Sequence, residues 1–469
     1  MTRHSLRARF AFALVMGSML LGAVASPASA AIKTRWVDND HKAGDGPKAC
    51  DSANFSTIQG AINASHAGDR VFVCPGDYAE QIVIDVPRLE VRSVIAQAAK
   101  IWPPETLVVP DFLASLVTID APNVTFRGFK MKILAGDPLF LKPESCEPLD
   151  AAIWVRSTGA QVLGNHIKTI GDFSFIGDCG YDMGIVVDDE TFGAGAPSFI
   201  WRNWVRDFKY DGIFVTPGSS AKLQYNQIRY VHLYDPLTCH LVPVLGVNPN
   251  PGAIFPECYG IPARPLNDLE AAAPPQVDGL FGLPIGILVE GAWVNMKGNA
   301  VYSTFDTQFY EGAPEFPLTL IGGIVLLAPV DGSKVNVNRV DNTAGGLVIV
   351  GDELLIGPPV RPTAKYPSAP DGVSVSGNRI SEGIAGLLIV AEDGVYFGNR
   401  SHLNIWGSLV FGGDNVFSRN DFRFNQEYDC DDETFGSGTS GTANDWYDVN
   451  LGLYNQPEDL CFDYWNGGF

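Results

Sequence analysis

Three cations stand at one fixed place in a short recurring phrase. Lys168 lies in NHIK, Arg206 in NWVR and Arg229 in NQIR, each three residues after an Asn. If the phrase marks successive turns of one scaffold, the three side chains stack in a column. Like charges opposite one another on neighbouring strands are unfavourable. The chain has 32 Lys and Arg against 53 Asp and Glu, a net charge of −21. Such a column then needs acid partners or an anionic ligand. His166, Trp204 and Gln227 precede the cations by two positions and share their face, because side chains on a strand alternate. Trp204 offers a flat apolar surface beside them. The acids Asp182, Asp188, Asp189 and Asp211 lie near in sequence. Asp188 and Asp189 open the hexapeptide DDETFG, found at residues 188–193 and again at 431–436. Adjacent carboxylates present the oxygens that Ca²⁺ prefers, or they hold neighbouring cations in place.

The elements that must position these groups come from a repeat. Strand-like halves read MGIVVDD, DGIFVTP, IGILVEG, GGIVLLA, GGLVIVG and AGLLIVA; asparagine halves read VLGNHI, WRNWV, LQYNQI, MKGNAV, VSGNRI and FSRNDF. The Asn spacings fit a unit of about 20–24 residues with expanded units between, which is the mark of a solenoid. Short Val/Ile/Leu runs bounded by Gly and Asn read as buried strands. Asn at a fixed place suits a tight left-handed bend, and stacked coils would align Asn165, Asn203 and Asn226 in a bonded column. About ten to twelve coils are expected from the repeat. Aligning coils on the strand Gly, or on Ala152, puts Arg156, Asp188, Thr216 and Glu290 in one row. Neighbours in a row lie about 4.8 Å apart, so Arg156 is expected to pair with Asp188.

The phrase GI-x-V…GN-x-I resembles the right-handed parallel β-helix of the pectate-lyase-like superfamily. FSTIQGAINASHAGDRVFVCPGDYAEQIVI at residues 55–84 is similar to the opening cap of that superfamily: a short helix, GD, a strand, PG-x-Y and E-x-I. Phe55, Ile58, Ala61 and Ile62 sit there at helical spacing. The tail CDDETFGSGTSGTANDWYDVNLGLYNQPEDLC at residues 430–461 resembles a Cys-bounded closing segment of secreted bacterial β-helix proteins. In that setting Asp431, Asp432 and Glu433 read as solvated turn carboxylates. The resemblance implies an all-β fold: one single-stranded right-handed parallel β-helix with an N-terminal helical cap and a disulfide-pinned C-terminal cap. It also implies polysaccharide chemistry. Lyases of this superfamily take a proton beside a uronate carboxylate with Arg or Lys, while Ca²⁺ or another cation neutralises that carboxylate. On this reading Lys168, Arg206 and Arg229 are the candidate catalytic residues. Arg156, Trp204, His166, Asp182 and Asp211 bind substrate, and Asp188 and Asp189 are the candidate Ca²⁺ ligands; no other cofactor is implied. Several signatures of the superfamily's enzymes are absent. These are the paired Asp of polygalacturonases, the Gln-Asp-Thr-Leu of pectin methylesterases, the Arg-x-Pro-x-x-Arg of pectate lyases and the Asp-His-His of mannuronan epimerases.

Residues 1–30 read as a secretory signal peptide: Arg3, Arg7 and Arg9, an apolar run over residues 10–24, then Ala28, Ser29 and Ala30. The run is too short for a comfortable membrane span. Residues 31–95 are expected to form the N-terminal cap and first coils, 96–429 the β-helix and 430–469 the C-terminal cap. Insertions interrupt the repeat at residues 131–150, 235–284 and 351–371. Eight Cys in an exported chain suggest disulfides. Of the 105 pairings that eight Cys allow, neighbours are the expected ones: Cys50–Cys74, Cys146–Cys179, Cys239–Cys258 and Cys430–Cys461. Zinc is the rival, but no Cys/His pair has metal spacing. So acidic a chain does not suit nucleic acid or an anionic membrane. The expected protein is a secreted monomer whose partner is an extracellular polysaccharide. Two functions stay open: binding and β-elimination of an acidic polysaccharide, or a non-catalytic surface, matrix or adhesion module.

Overall fold

The computed structural model describes residues 31–40, 44, 46–104, 107–108, 114–132, 149–168, 181–189, 195–206, 208, 211–229, 285–303, 322–330, 332–343, 345–351, 372–448 and 450–462. Side chains are described for the same residues except Lys132, Tyr181 and Asp182. Cys146, Cys179, Cys239 and Cys258 lie outside the described residues, as do most of the three insertions and residues 1–30.

Residues 33–469 make one unit. Among the described residues the strands form three sheets, of thirteen, twelve and ten strands. Every strand pairing in them is parallel, each strand lying beside its equivalent one turn away, as in Trp204–Arg206 against Gln227–Arg229. One coil shows the plan. Asp211–Val215 belongs to the twelve-stranded sheet, Ser220–Gln224 to the thirteen-stranded sheet and Gln227–Arg229 to the ten-stranded sheet; the chain then returns to the first sheet at Ile285–Glu290. This is a parallel β-helix. Crossovers between parallel strands are right-handed in nearly all proteins.

The interior is built from columns of like residues. Ile153, Ile185, Ile213, Ile287, Ile324, Leu347 and Leu387 are in register and buried. The strand Gly of the repeat has a steric cause. At Gly184, Gly286, Gly323 and Gly346 a Cβ would lie 2.2–2.3 Å from a Val or Ile methyl of the ten-stranded sheet. In these coils the corner between the two sheets leaves no room for a side chain at this position, whereas the earlier coils place Ala152 and Leu116 there.

The Asn of the repeat forms a buried ladder. Asn165 Nδ2 donates to Asn203 Oδ1 at 3.1 Å, Asn203 to Asn226 at 3.1 Å and Asn226 to Asn299 at 3.0 Å. The same pattern continues through Asn338, Asn378, Asn399, Asn420 and Asn450. The left-handed residue is the one before each Asn, not the Asn expected from sequence. Gly164, Arg202, Tyr225, Gly298, Val337 and Gly377 have φ between 53° and 66°. Gly is common before the Asn because it adopts this conformation without strain.

At the N-terminal end a helix, Ile58–Asn63, buries Ile58, Ala61 and Ile62 in the main core, and Thr57 caps it by accepting from Gly60 N. Cys50–Cys74 and Cys430–Cys461 are disulfide-bonded.

Candidate functional site

The three cations fall in one row of the ten-stranded sheet. Lys168 is in register with Arg206, and Arg206 with Arg229. The strands are three residues long, and Ile167, Val205 and Ile228 between the outward positions are fully buried. Each strand thus buries one residue and turns two outward. The row extends one strand further, to Lys132.

The parallel row runs from Lys100 and Lys130 through His166, Trp204 and Gln227. The His166 and Trp204 rings stack with centroids 4.2 Å apart and planes 11° apart. The Arg206 guanidinium lies over the Trp204 ring at 5.2 Å, a cation–π arrangement. Burial, with Lys130, Arg206 and Lys168 adding repulsion, lowers the His166 pKa to about 4. The imidazole is therefore neutral at pH 7, and its Nε2 is buried without a hydrogen-bond partner. Trp204 keeps 36% of its surface exposed. With Arg202, Tyr225 and Gln227 it lines an open depression at the corner towards the thirteen-stranded sheet. Among the described residues no acid forms an ion pair with Lys130, Lys168 or Arg229.

The acids of the expected constellation lie on another sheet. Asp182, Asp188, Asp189 and Asp211 all belong to the twelve-stranded sheet or its strand ends. Asp182 and Asp211 stand at the edge that the chain reaches after the cation row. Asp188 is at the opposite end of its strand, about 20 Å from Asp182 at the usual rise per residue. The side chain of Asp182 is outside the described residues. Asp211 is 9% exposed, and burial followed by the charge of Glu290 raises its pKa to about 8. Burial raises Glu290 to about 7. Glu290 had no role assigned in sequence; only its place in the row with Asp188 pointed to it. The outer face around these acids is apolar: Trp154, Val186, Leu288, Val325, Val348 and Leu388 are in register and buried.

The expected Arg156–Asp188 pair does not form, although both occupy the expected row. Arg156 Nη1 instead approaches Asp120 at 3.6 Å on the preceding coil, with its guanidinium over the Trp154 ring at 4.6 Å. Asp188 accepts from Trp154 Nε1 at 3.2 Å and from Thr216 Oγ1 at 2.9 Å. Asp189 is buried and accepts from Ser198 Oγ and the Ser220 amide. The oxygens offered for Ca²⁺ are thus engaged within the fold. Among the described residues no group of three or more His, Cys, Asp or Glu is placed to hold a metal.

The second DDETFG also differs from expectation. Asp431 and Asp432 are 4% and 2% exposed and end the strand Tyr428–Asp432, so they are not solvated turn carboxylates. Asp432 points inward, where it accepts from Trp446 Nε1 at 2.9 Å and from Asn444 Nδ2 at 3.0 Å. The two copies sit two residues out of register. Asp432 is in register with Val410, the place that Val187 holds in its own coil. Burial, with Glu433 beside it, raises Asp431 to about 7.

The sequence matches no family model, and no curated protein matches it. Among solved structures the chain is similar to the Dettilon tailspike protein, at 14% identity and a TM-score of 0.47, over 90% of this chain and 66% of that one. It is similar to XylC in complex with xylose at 11% identity and a TM-score of 0.47, over 83% of this chain and 75% of that one. A rhamnogalacturonan lyase follows at 9% identity and a TM-score of 0.37, over 83% and 82%. At these identities the likeness concerns fold alone. The three sheets of parallel strands are those of a parallel β-helix.

Proposed function

We propose that this protein binds an acidic extracellular polysaccharide on the outward face of the ten-stranded sheet and cleaves it by β-elimination. The observation that carries the reading is the register of Lys168, Arg206 and Arg229 beside the His166–Trp204 stack. A row of cations on a chain of net charge −21 is unfavourable unless an anion lies across it. Trp204 supplies an aromatic face next to the charges. The disulfides Cys50–Cys74 and Cys430–Cys461 fit an oxidising, extracellular compartment.

Elimination is the cleavage that these groups suit. A cation paired with a uronate carboxylate favours charge on the adjacent carbon as its proton leaves. Lys168, Arg206 and Arg229 would hold that carboxylate. His166 is a group in the cluster that stands unprotonated at pH 7. A second reading, a non-catalytic binding module, is favoured by the separation of Asp182, Asp188 and Asp211 from the cations. Among the described side chains no carboxylate is paired with Lys168 or Arg229.

The test is a screen of pectate, alginate and glycosaminoglycans for the ultraviolet absorbance of unsaturated products, with and without Ca²⁺, beside direct binding measurements. Absorbance growth lost in Arg206→Ala supports elimination. Binding without product leaves the module, and no binding to any glycan refutes both.

A further inference from the structure

The outward cations do not stop at Arg229. From Ala99–Trp102 to Arg400–His402, every strand of the ten-stranded sheet except Ala300–Tyr302 offers a Lys or Arg at an outward position. The acids at such positions in the sheet are Asp77 and Asp341. The run begins in the row of His166, at Lys100 and Lys130, and from Lys132 to Arg229 it uses the row of Lys168. Beyond it the run uses the parallel row, where Arg339, Arg379 and Arg400 are in register. The return to the row of His166 falls at Tyr302, which is in register with Arg229 on one side and Asp341 on the other. The Arg339 guanidinium lies over the Tyr302 ring at 5.5 Å. An aromatic face thus bridges the two stretches of charge.

We propose that this face is a continuous track for one linear polyanionic polysaccharide lying along the rod axis, from Lys100 to Arg400, crossing between rows over Tyr302. The proposal rests on the reading above and adds the ligand's direction and minimum length. Nine strands at about 4.8 Å give a track of about 38 Å. A short oligosaccharide would meet the Lys168–Arg206–Arg229 stretch alone, and a longer one would also engage the distal arginines. Each added contact on a tethered ligand is intramolecular, so affinity climbs steeply with length. Arg379 is the informative distal residue. It is exposed, and no acid among the described residues pairs with it. Arg339 and Arg400 are partly compensated, by Asp341 at 2.5 Å and by Asp421 at 3.5 Å. Trp204 and Tyr302 among the cations offer faces for sugar rings; a chain of net charge −21 disfavours nucleic acid, whose affinity comes mostly from long-range attraction.

The experiment measures binding of size-fractionated oligogalacturonates and oligoalginates, short against long, to the full chain and to its Arg379→Ala and Arg379→Glu variants. Oligothymidylate of matching length is the control. Expected is at least tenfold tighter binding of the long fraction. Arg379→Glu should weaken it about threefold to tenfold, as reversal of one exposed charge does, while the short fraction is unaffected. Equal affinity for both lengths, or no effect of either variant on the long one, overturns the track and leaves a local site at Arg206. Oligothymidylate binding as tightly as the glycans overturns the carbohydrate assignment. If no uronate of any length binds, the functional reading fails along with the track.

Discussion

Replacing Asn226 by Ala removes one rung from the middle of the ladder. Asn226 Oδ1 accepts from the Asn203 amide at 3.0 Å and from Asn203 Nδ2 at 3.1 Å. Its own Nδ2 donates to Ile200 O at 2.9 Å and to Asn299 Oδ1 at 3.0 Å. Two neighbours retain partners after truncation. Asn203 Nδ2 still donates to Val162 O, and Asn299 Oδ1 still accepts from the backbone amide of residue 226. The Asn203 amide and the Ile200 carbonyl each lose the bond that Asn226 gave them. The Ile200 carbonyl keeps its place in the strand ladder, and one buried group left unpaired costs about 1–3 kcal/mol, so the variant should lose about 1–3 kcal/mol. A surface substitution usually stays within about 0.5 kcal/mol. Urea unfolding followed by far-ultraviolet circular dichroism measures the loss. In a solenoid each coil leans on its neighbours, so hydrogen exchange should also rise in the coils of Asn203 and Asn299. A loss under about 0.5 kcal/mol would show that the ladder is ornamental and that the packed columns alone hold the coils.

Asp211→Asn should change the pH dependence of stability. The folded pKa of Asp211 is raised from 3.8 to about 8, so the folded state holds the proton over that range and the unfolded state does not. Stability is then lost as pH rises from about 4 through about 8, at about 1.4 kcal/mol for each step of one in pH. The variant should match the parent near pH 4 and melt higher near pH 8; identical profiles would refute the buried acid. Val337→Gly should stabilise by about 1 kcal/mol in thermal melts, because Val337 is exposed at φ 56° and a left-handed β-branched residue is strained; destabilisation would count against that strain. Arg206→Ala should weaken polysaccharide binding, and Asp188→Asn should leave it intact, because Asp188 serves Trp154 and Thr216 on a different sheet. A binding loss in Asp188→Asn would reconnect the two faces.

Much of this was legible because the repeat fixes a residue's place within its coil. Counting from Asn gave the Lys168–Arg206–Arg229 row, and counting from Gly gave Arg156, Asp188, Thr216 and Glu290. Counting does not choose partners. Arg156 has Asp120 on one side and Asp188 on the other, and side-chain geometry alone decided for Asp120. Nor does local sequence fix register. The identical DDETFG hexapeptides sit two residues apart in the coil, because neighbouring strands set alignment through buried partners such as Val410 and Trp446. The separation of the acids from the cations was hidden for a similar reason. Asp211 follows Arg206 by five residues, yet a corner lies between them, and sequence proximity across a corner means a different face.

The length of the strands explains why the cations gather where they do. In the twelve-stranded sheet a six-residue strand such as Gly345–Val350 is buried throughout, so an acid placed there is driven towards its protonated form, as burial raises the pKa of Asp211 to about 8. In the ten-stranded sheet most strands have three residues, and only the middle one enters the core. The two flanking positions are free of packing demands, and the Asn ladder one residue upstream holds their backbone still. Side chains there can be exchanged for a ligand's sake at little cost to the fold, and every coil adds two more such positions at the same pitch. A polyanion is a ligand with its own repeated charge, so a scaffold that repeats a cation along its axis meets it with the least design per contact. The same geometry makes the binding divisible. Removing one outward cation should subtract one contact, not collapse the site, whereas removing one rung of the ladder should disturb two coils at once.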